Sequence, residues 1–381
     1  MKQLSLLVLF FCFIATFSQA QTNGNITWDG ITRDYIVYLP TTYTPGSSLP
    51  LVFVLHGFTQ TANTIMNVSD FNTVAETNNF IAVYPQGISN GWNTNAGFPG
   101  GSTADDIGFI GALLDEMYNL YNADTNKVYS CGFSAGGYMS HRLACESTRC
   151  FAAIASVSGT MTTNAFNDCA PSKNMPVMQI HGTSDAIVNY NGGFGGKSVD
   201  DVVNLWVTNN SCPTTATITV LPDINTTDGS TVEQNIFTPC TDSANVVLLK
   251  VVGGGHQWPG TNSILGGLGN INRDINASEE IWNFFSGYSC PITTSLSENL
   301  SIDLSFNIHN LGDGIYTLTC NNPQQKDLSL SIYDVTGKVL LTSENNSSTT
   351  IFNLDLSKYP NGLYLVNINT EFENKSIKLI R

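Results

Sequence analysis

Short apolar runs alternate with helix-like segments along the first three quarters of the chain. Most of the runs are continuously apolar, which is typical of parallel strands buried on both faces of a sheet. The alternation predicts a mostly parallel α/β sheet with right-handed crossovers, and residues 25–28 and 34–39 are expected to be antiparallel edge strands. The predicted strands are 51–55, 80–84, 128–131, 151–157, 176–180 and 246–252, and the predicted helices are 105–120, 136–144, 198–209 and 277–285.

The helical pattern stops near residue 290. After it, short strand-like runs are separated by turn residues, which predicts a small all-β sandwich. We expect residues 291–297 to be a linker and residues 298–381 to form this second domain. The predicted strands are 314–319, 328–333, 338–341, 350–354, 362–367 and 376–380.

Residues 1–20 have the layout of a secretory signal peptide. Lys2 precedes a nearly unbroken apolar run at 4–17, and small residues follow at Ser18 and Ala20. A buried N-terminal helix is the alternative. The run is too short for a transmembrane helix, and no later apolar stretch approaches the required length of about 18 residues.

The sequence Gly-Phe-Ser-Ala-Gly at residues 132–136 lies between a predicted strand and a predicted helix. A serine on a tight strand-to-helix turn needs flanking glycines, because a Cβ there would clash with neighbouring backbone. Ser134 is therefore the candidate nucleophile, and an ordinary Gly-rich loop is the alternative.

A serine hydroxyl needs a base, normally a histidine oriented by a carboxylate. His256 follows the last long predicted strand in a Gly-rich, mobile-looking loop, so it is the expected base; an exposed loop histidine is the alternative. The remaining histidines are expected to be structural or too distant: His56, His141, His181 and His309.

Asp185 is the expected acid, because it follows a predicted core strand and lies between Ser134 and His256 in the order of α/β-hydrolases. Asp105 and Asp106 precede the serine and suit helix capping better. The rivals without a preceding buried strand are Asp168, Asp200, Asp201 and Asp223.

Acyl transfer also needs N–H donors for an oxyanion. One is expected from Ala135, directly after the nucleophile. The second is expected from Phe58, since Gly57 would let the backbone turn so that this amide points at the site; Gly57 as a simple turn residue is the alternative.

Six motifs in one order resemble the polyhydroxybutyrate depolymerase family of secreted esterases, which includes feruloyl and acetylxylan esterases of carbohydrate esterase family one. The likeness covers about residues 27–288. It implies an α/β-hydrolase fold, a triad of Ser134, Asp185 and His256, and an oxyanion hole of the Phe58 and Ala135 amides. The motifs are Leu-His-Gly-Phe-Thr-Gln (55–60), Tyr-Pro-Gln-Gly (84–87), Asp-Asp-Ile-Gly-Phe (105–109), Gly-Phe-Ser-Ala-Gly-Gly (132–137), His-Gly-Thr-Ser-Asp (181–185) and Gly-Gly-His-Gln-Trp-Pro-Gly (254–260).

One departure from that family is Phe58, where many relatives carry Cys. Only the backbone is needed at this position, so the oxyanion hole is unaffected, but the larger apolar side chain is expected to reshape the acyl pocket.

Residues 298–381 resemble the type IX secretion C-terminal sorting domain of Bacteroidetes. The likeness implies passage through the outer membrane, followed by release or surface attachment. A carbohydrate-binding β-sandwich is the alternative, since such modules share the architecture. The matching segments are 328–339, 354–357, 359–364 and 376–381.

Composition narrows the substrate class. With 15 Lys+Arg against 30 Asp+Glu, the chain has a net charge of −15 and no cationic cluster for nucleic acid. Polyanions would be repelled, so uncharged esters are favoured. We expect a serine carboxylesterase acting on feruloyl or acetyl esters of plant xylan; a polyhydroxybutyrate depolymerase and a non-catalytic surface-displayed binding protein are the alternatives. Trp92, Tyr190 and Trp258 could stack on a substrate ring or equally pack their own loops.

Cys12, one of the nine cysteines, leaves with the signal peptide, and the remaining eight are expected to form disulfides in an oxidising compartment. No C-x-x-C pair indicates a metal site, and the expected chemistry needs no cofactor. The expected pairs are Cys212–Cys240, Cys145–Cys169 and Cys131–Cys150; this leaves Cys290 and Cys320, whose pairing would link two domains and is doubted.

Overall fold

The computed structural model describes residues 21–95, 101–193, 196–263, 266–290, 305–312, 314–321, 328–345, 349–369 and 374–381. The chain divides into two compact units, with the boundary between Ile292 and Thr293. The expected signal peptide (1–20) and linker (291–297) lie outside the described residues.

The first unit contains a ten-stranded sheet in the order β1-β2-β4-β3-β5-β6-β7-β10-β9-β8. Its six central strands run parallel, whereas β1 and β2 at one edge and β8 and β9 at the other are antiparallel additions. The expected α/β-hydrolase fold with a mostly parallel sheet is confirmed. The strands are β1 Gln21–Trp28, β2 Ile31–Tyr38, β3 Leu51–Leu55, β4 Ile81–Pro85, β5 Val128–Phe133, β6 Ala153–Val157, β7 Val177–Gly182, β8 Thr217–Val220, β9 Thr231–Phe237 and β10 Val246–Val252.

Helices cover both faces of this sheet. Four of them match predicted helices, whereas α1, α2 and α5 have only six to eight residues, too few to show a clear helical period in the sequence. The helices are α1 Ala62–Ser69, α2 Phe71–Asn78, α3 Asp106–Tyr121, α4 Ala135–Glu146, α5 Thr163–Asp168, α6 Val199–Asn209 and α7 Ala277–Phe285.

The strands are buried on both faces, as their continuous apolar runs predict. In β3, Phe53 belongs to a core that includes Leu113 of α3. Val54, the next residue, belongs to a second core on the opposite face with Phe71 of α2 and Trp282 of α7. Successive side chains of a strand point to opposite faces, so a strand between two helical layers is apolar throughout.

The second unit consists of two antiparallel sheets that share one apolar core, which confirms the small all-β sandwich. One sheet has the order β11-β12-β15 and the other β14-β13-β16-β17. Leu318 and Phe352 of the first sheet contribute to the same core as Leu330 and Val366 of the second. The strands are β11 Ser305–Gly312, β12 Ile315–Asn321, β13 Leu328–Tyr333, β14 Val339–Asn345, β15 Thr349–Asp355, β16 Leu363–Asn369 and β17 Asn374–Ile380.

Two of the three expected disulfides, Cys145–Cys169 and Cys212–Cys240, are confirmed. The third expectation, Cys131–Cys150, is wrong, because Cys150 is bonded to Cys290, 140 residues further along the chain. Cys131 points from β5 into the buried core and is unpaired. The bond between Cys150 and Cys290 also excludes a Cys290–Cys320 pair.

Within the described ranges, no helix has the length and apolar character needed to cross a membrane.

Candidate active site

The carboxyl ends of neighbouring parallel strands bring the candidate residues to one edge of the sheet. Leu55 of β3 pairs with Gly132 of β5, and Val157 of β6 pairs with Ile180 of β7. The loops that leave β3, β5, β7 and β10 therefore meet at this edge. Ligand sites of open α/β sheets lie in the same place.

Ser134 lies on a tight turn between β5 and α4. Its backbone has φ 53° and ψ −119°, a conformation that L-residues rarely adopt. The Ser134 amide donates a 2.8 Å hydrogen bond to Val157 O, and its carbonyl accepts from the amides of Gly137 and Tyr138. The strained turn is thus held from both sides, and the serine stands at the N-terminus of α4.

The glycines that flank Ser134 allow this turn by close approach. A Cβ on Gly132 would lie 2.3 Å from the carbonyl carbon of Gly136, and a Cβ on Gly136 would lie 2.1 Å from Leu55 O. Both distances are far inside van der Waals contact. The glycines of the Gly-x-Ser-x-Gly sequence are therefore required by the packing of α4 against β3 and β5.

Asp185 lies on the loop after β7 and is 2% exposed. Its Oδ1 accepts hydrogen bonds from the amides of Ile187 (2.9 Å) and Val188 (2.8 Å). Its Oδ2 lies 2.8 Å from His256 Nδ1. Burial raises the pKa of the Asp185 carboxyl, but hydrogen bonds from His181 and His256 outweigh it and hold the pKa below its usual range. The carboxylate is therefore ionised, so His256 Nδ1 donates the proton of this bond.

His256 is buried, with 3% exposure, and its loop is closely held. The His256 amide donates a 2.7 Å hydrogen bond to Leu268 O, and a Cβ on Gly255 would lie 2.2 Å from the same oxygen. The expectation of a mobile-looking loop is therefore wrong, and so is the alternative of an exposed histidine. The His256 ring lies 4.9 Å from the ring of Phe133, the residue before Ser134.

Phe58 lies on the loop that follows β3, and Ala135 is the first residue of α4, which follows the adjacent strand β5. A Cβ on Gly57 would lie 3.0 Å from Gln60 Oε1 and 3.1 Å from Phe133 Cδ1, so a larger residue would have to displace these side chains slightly. The positive φ of this loop falls on Thr59 (66°). The half-buried Phe58 side chain packs against the core on one face of the sheet.

The three candidate substrate-stacking residues pack inside the protein, which agrees with the alternative that each packs its own loop. Each is at least 93% buried, and each polar atom has a protein partner. Trp92 Nε1 donates to His56 O (2.8 Å), Tyr190 Oη donates to Asp200 (2.9 Å), and Trp258 Nε1 donates to Ser278 Oγ (3.1 Å). Their rings stabilise the loops instead of facing solvent.

His56 and His141 are structural, as expected. His56 Nδ1 donates to Gly57 O (2.8 Å), and its Nε2 accepts from the Gly87 amide (2.9 Å). His141 is completely buried on α4, where Trp206 Nε1 donates to its Nδ1. Burial lowers the pKa of both imidazoles to about 4. The side chain of His309 lies outside the described residues.

His181 contributes to the site, which the sequence analysis did not anticipate. Its Nε2 lies 2.8 Å from Val188 O and 3.4 Å from Asp185 Oδ2. The only signal in the sequence was the spacing of four residues between His181 and Asp185. The pair His56-Gly57 comes directly after β3, much as His181-Gly182 ends β7, and the described contacts of the His56 ring include no acid, so the motif alone could not identify this contact.

Asp105 and Asp106 differ in role, although both were expected to cap a helix. Asp105 is the N-cap of α3, where it accepts the Gly108 amide at 2.9 Å. Asp106 is fully buried and forms a 2.6 Å salt bridge with Arg33, which joins β2 to α3. Helix position alone could not reveal a partner 73 residues away.

Across the described part of the chain, no group of three or more His, Cys, Asp or Glu residues is arranged to hold a metal ion.

Two family models match separate parts of the chain. Residues 33–207 match the family described as esterase PHB depolymerase, and residues 321–381 match the secretion system C-terminal sorting domain. Since a sorting domain of this kind directs its chain out of the cell, the expected extracellular or cell-surface location is confirmed.

Individual relatives agree with the first match. The bifunctional acetylxylan esterase/xylanase of Neocallimastix patriciarum is 28% identical over 71% of this chain and 35% of its own length. Probable feruloyl esterase C of Aspergillus clavatus is 29% identical over 50% of this chain and 65% of its own length. The chain thus spans between a third and two thirds of the length of these curated relatives.

A solved structure supports the fold. The acetyl xylan esterase of Aspergillus awamori superposes with a TM-score of 0.51 at 17% identity, covering 70% of this chain and 99% of that chain. The chain is thus similar to the esterase family of the PHB depolymerases over residues 33–207 and to the secretion system C-terminal sorting domains over residues 321–381.

Proposed function

We propose that the protein is a secreted serine carboxylesterase with Ser134 as nucleophile, His256 as base and Asp185 as the acid that orients His256. The observation that carries the proposal is the buried 2.8 Å hydrogen bond between His256 Nδ1 and Asp185 Oδ2. It places a proton on Nδ1, which leaves Nε2 as the ring nitrogen that would accept the Ser134 proton. The family match over residues 33–207 supports the same chemistry.

In the first half of the reaction, Ser134 Oγ attacks the ester carbonyl carbon while its proton passes to His256 Nε2. The carbonyl oxygen becomes an oxyanion, which the amides of Ala135 and Phe58 stabilise. The ester C–O bond then breaks, and His256 gives its proton to the leaving alcohol. The acyl group remains on Ser134.

In the second half, water repeats these steps on the acyl-enzyme. His256 accepts a proton from water as its oxygen attacks, and then returns that proton to Ser134 Oγ as the acid is released. Asp185 remains ionised throughout and stabilises the transient imidazolium. The low pKa of its buried carboxyl is suited to this role.

For the substrate, we propose acetyl or feruloyl esters of plant xylan, since the relatives named above are acetylxylan and feruloyl esterases. The net charge of −15 favours an uncharged ester over a polyanion. A polyhydroxybutyrate polyester is the second candidate, on the strength of the family described as PHB depolymerase.

For the domains, we propose that residues 21–290 are the catalytic part, with residues 1–20 as a signal peptide and 291–297 as a linker. Residues 298–381 would deliver the chain to a type IX secretion system, a proposal that the sorting-domain match at 321–381 supports.

The first test uses a fluorophosphonate, which reacts with an activated serine. The full chain should incorporate one label, located on Ser134 by peptide mapping, and Ser134→Ala should incorporate none. Ser158→Ala is a matched control, because Ser158 lies at the end of the adjacent strand and should leave labelling intact. Labelling that persists in Ser134→Ala would reject the nucleophile, and no labelling at all would favour a non-catalytic binding protein.

The second test separates the substrates. The same preparation is assayed with acetylated xylan, methyl ferulate and polyhydroxybutyrate granules, with Ser134→Ala as the blank. Release of acetate or ferulate at a kcat/KM well above that for the polyester supports the xylan proposal. The opposite order would identify a polyester depolymerase.

A further inference from the structure

A continuous chain of buried side chains runs from α6 to the acid of the site. Trp206 Nε1 donates to His141 Nδ1 (3.2 Å), and His141 Nε2 lies 3.1 Å from Gln179 Oε1. Gln179 Nε2 lies 3.2 Å from His181 Nδ1, and His181 Nε2 approaches Asp185 Oδ2 at 3.4 Å. All five side chains are at least 98% buried.

The direction of every hydrogen bond in this series of side chains is fixed by groups that can only donate or only accept. An indole N–H can only donate, so His141 accepts at Nδ1 and carries its proton on Nε2. His141 then donates to Gln179 Oε1. The Gln179 amide nitrogen also donates to Gly159 O at 2.7 Å, which independently fixes the same amide orientation.

His181 therefore accepts at Nδ1 and carries its proton on Nε2. The carbonyl of Val188, which can only accept, lies 2.8 Å from that nitrogen and requires the same tautomer. The Nε2–H is shared between Val188 O and the more distant Asp185 Oδ2. These contacts together place the proton on His181 Nε2, which donates to Val188 O and lies 3.4 Å from Asp185 Oδ2.

Asp185 receives donors on both oxygens. Oδ1 accepts the amides of Ile187 and Val188, while Oδ2 accepts His256 Nδ1 and faces His181 Nε2. The amides restrain one side of the carboxyl group, and the His181 N–H restrains the oxygen that bonds His256. Without His181, the only side chain in contact with Asp185 Oδ2 would be His256. Because His256 must itself be held in place during proton transfer, it cannot also fix the position of Oδ2.

We infer that His181 is a positioning residue of this site, whose Nε2–H, oriented by Gln179 and Val188, holds Asp185 Oδ2 in line with His256. This inference rests on the proposed function. His181 does not touch the reacting atoms; it acts through Asp185. Groups that hold a catalytic side chain in place contribute through geometry, since small misplacements slow the chemical step.

The kinetic test compares His181→Phe, His181→Gln and the matched control His141→Phe in the full chain, with 4-nitrophenyl acetate as substrate. Both Phe variants replace a fully buried imidazole by a ring, but in His141→Phe the Gly159 carbonyl still orients Gln179. We expect His181→Phe to lower kcat about 10- to 100-fold with little change in KM. His181→Gln, which keeps an N–H donor, should recover much of this loss, and His141→Phe should retain most of its kcat.

Equal losses of kcat in the two Phe variants, or no recovery with Gln, would show a merely structural role and overturn the inference. The melting temperatures of the variants are measured alongside, so that a general loss of folding is recognised.

NMR provides a readout that does not depend on activity. The chain has only five histidines, so ¹⁵N-His labelling resolves each imidazole. His181 should show the Nε2–H tautomer, and Asp185→Asn should shift its Nε2 signal together with the Nδ1 signal of His256. If the ¹⁵N chemical shift of His181 Nε2 does not change in Asp185→Asn, the inference is overturned. A wild-type chain without esterase activity would reject the proposed function, and this measurement would still decide whether His181 holds Asp185.

Discussion

The site has two halves that are positioned in different ways. We call residues 55–60 and 132–137 the nucleophile half, and residues 181–188 and 253–258 the acid–base half. The proposed functional groups of the nucleophile half are the Ser134 hydroxyl and two amides, which follow the backbone almost directly. Those of the acid–base half are a carboxylate and an imidazole, which lie at the ends of rotatable side chains.

This difference explains what each half needs. Close backbone packing, made possible by Gly132 and Gly136, is sufficient to place the Ser134 hydroxyl. The acid–base half needs hydrogen bonds as well: Asp185 accepts from two backbone amides, and His256 Nδ1 donates to Asp185. Changes to the glycines of the first half should therefore act mainly on folding, and changes to the side chains of Asp185 and His256 in the second half mainly on turnover.

The largest expected effect is on turnover in the acid–base half. His256→Ala removes the base and should lower kcat at least about a thousandfold, while the free energy of unfolding changes far less. Steady-state kinetics and urea unfolding on the same preparation measure both quantities. Members of a triad act as a unit, so Ser134→Ala combined with His256→Ala should be no slower than Ser134→Ala alone. Near-normal turnover in His256→Ala would reject the base.

The next effect is on folding in the nucleophile half. Gly136→Ala places a Cβ 2.1 Å from Leu55 O, a backbone atom that cannot move without displacing β3. Helix propensity favours Ala by about 1 kcal/mol, but we expect the clash to dominate. The net effect should be a decrease of about 3 kcal/mol in the free energy of unfolding.

Gly111→Ala is the matched control for Gly136→Ala. Gly111 lies within α3, and its Cβ would meet Arg149 Cγ at an ordinary 3.6 Å. This variant should gain about 0.5–1 kcal/mol from helix propensity. Equal effects of the two substitutions on urea unfolding would contradict the close approach of α4 to β3.

A third prediction concerns pH, because a buried neutral histidine is associated with each half: His56 with the nucleophile half and His141 with the chain that leads to Asp185. Burial lowers both pKa values from about 6.5 to about 4. Between these values the unfolded chain binds a proton that the native protein does not, so stability must fall as pH decreases from about 6.5 to 4. Each histidine contributes a slope of about 1.4 kcal/mol per pH unit.

The measurement is urea unfolding at pH 5, 6 and 7. His141→Phe and His56→Phe should each reduce the slope of unfolding free energy against pH by the contribution of one proton, whatever their effect on absolute stability. If neither variant changes the slope, both histidines are protonated in the native state and the described hydrogen-bond directions are wrong.

The sequence predicts the structure best at positions where a single local physical requirement determines the residue type. The apolar runs predicted the six parallel strands, because strands covered on both faces have few polar positions. The tight strand-to-helix turn at Ser134 was predicted because its flanking glycines are required by close packing. Asp185 followed from its place after a strand, and the structure brings it to His256.

The remaining features depend on contacts between residues far apart in the chain. Cys150 and Cys290 are separated by 140 residues, and nothing local distinguishes Cys290 as the partner. Trp92 and Trp258 look equally suited to stacking on a substrate or to packing, and only the folded loops show that both rings are buried. His181 differs from His56 in the acid that it meets, not in its own sequence motif.

The smallest expected effect concerns the bond that joins the two halves through β6. Ser158 follows β6 between Ser134 and the base loop, and its Oγ donates a 3.2 Å hydrogen bond to Gln257 O. Ser158→Ala removes this donor and should cost about 1 kcal/mol of stability, the usual contribution of a buried hydrogen bond. The loop is also held by two backbone hydrogen bonds, from the His256 amide to Leu268 O and from the Ser184 amide to Gly254 O. We therefore expect kcat to fall only slightly.

Ser286→Ala is the control for Ser158→Ala, because its hydroxyl makes a similar 3.1 Å bond to Asn283 O in an exposed position, where water replaces it. It should be neutral in urea unfolding. A large loss of kcat in Ser158→Ala with little loss of stability would mean that the halves are coupled through this hydroxyl, so that the base loop takes its position from the nucleophile half. A loss of stability alone would mean that each half is positioned by its own contacts.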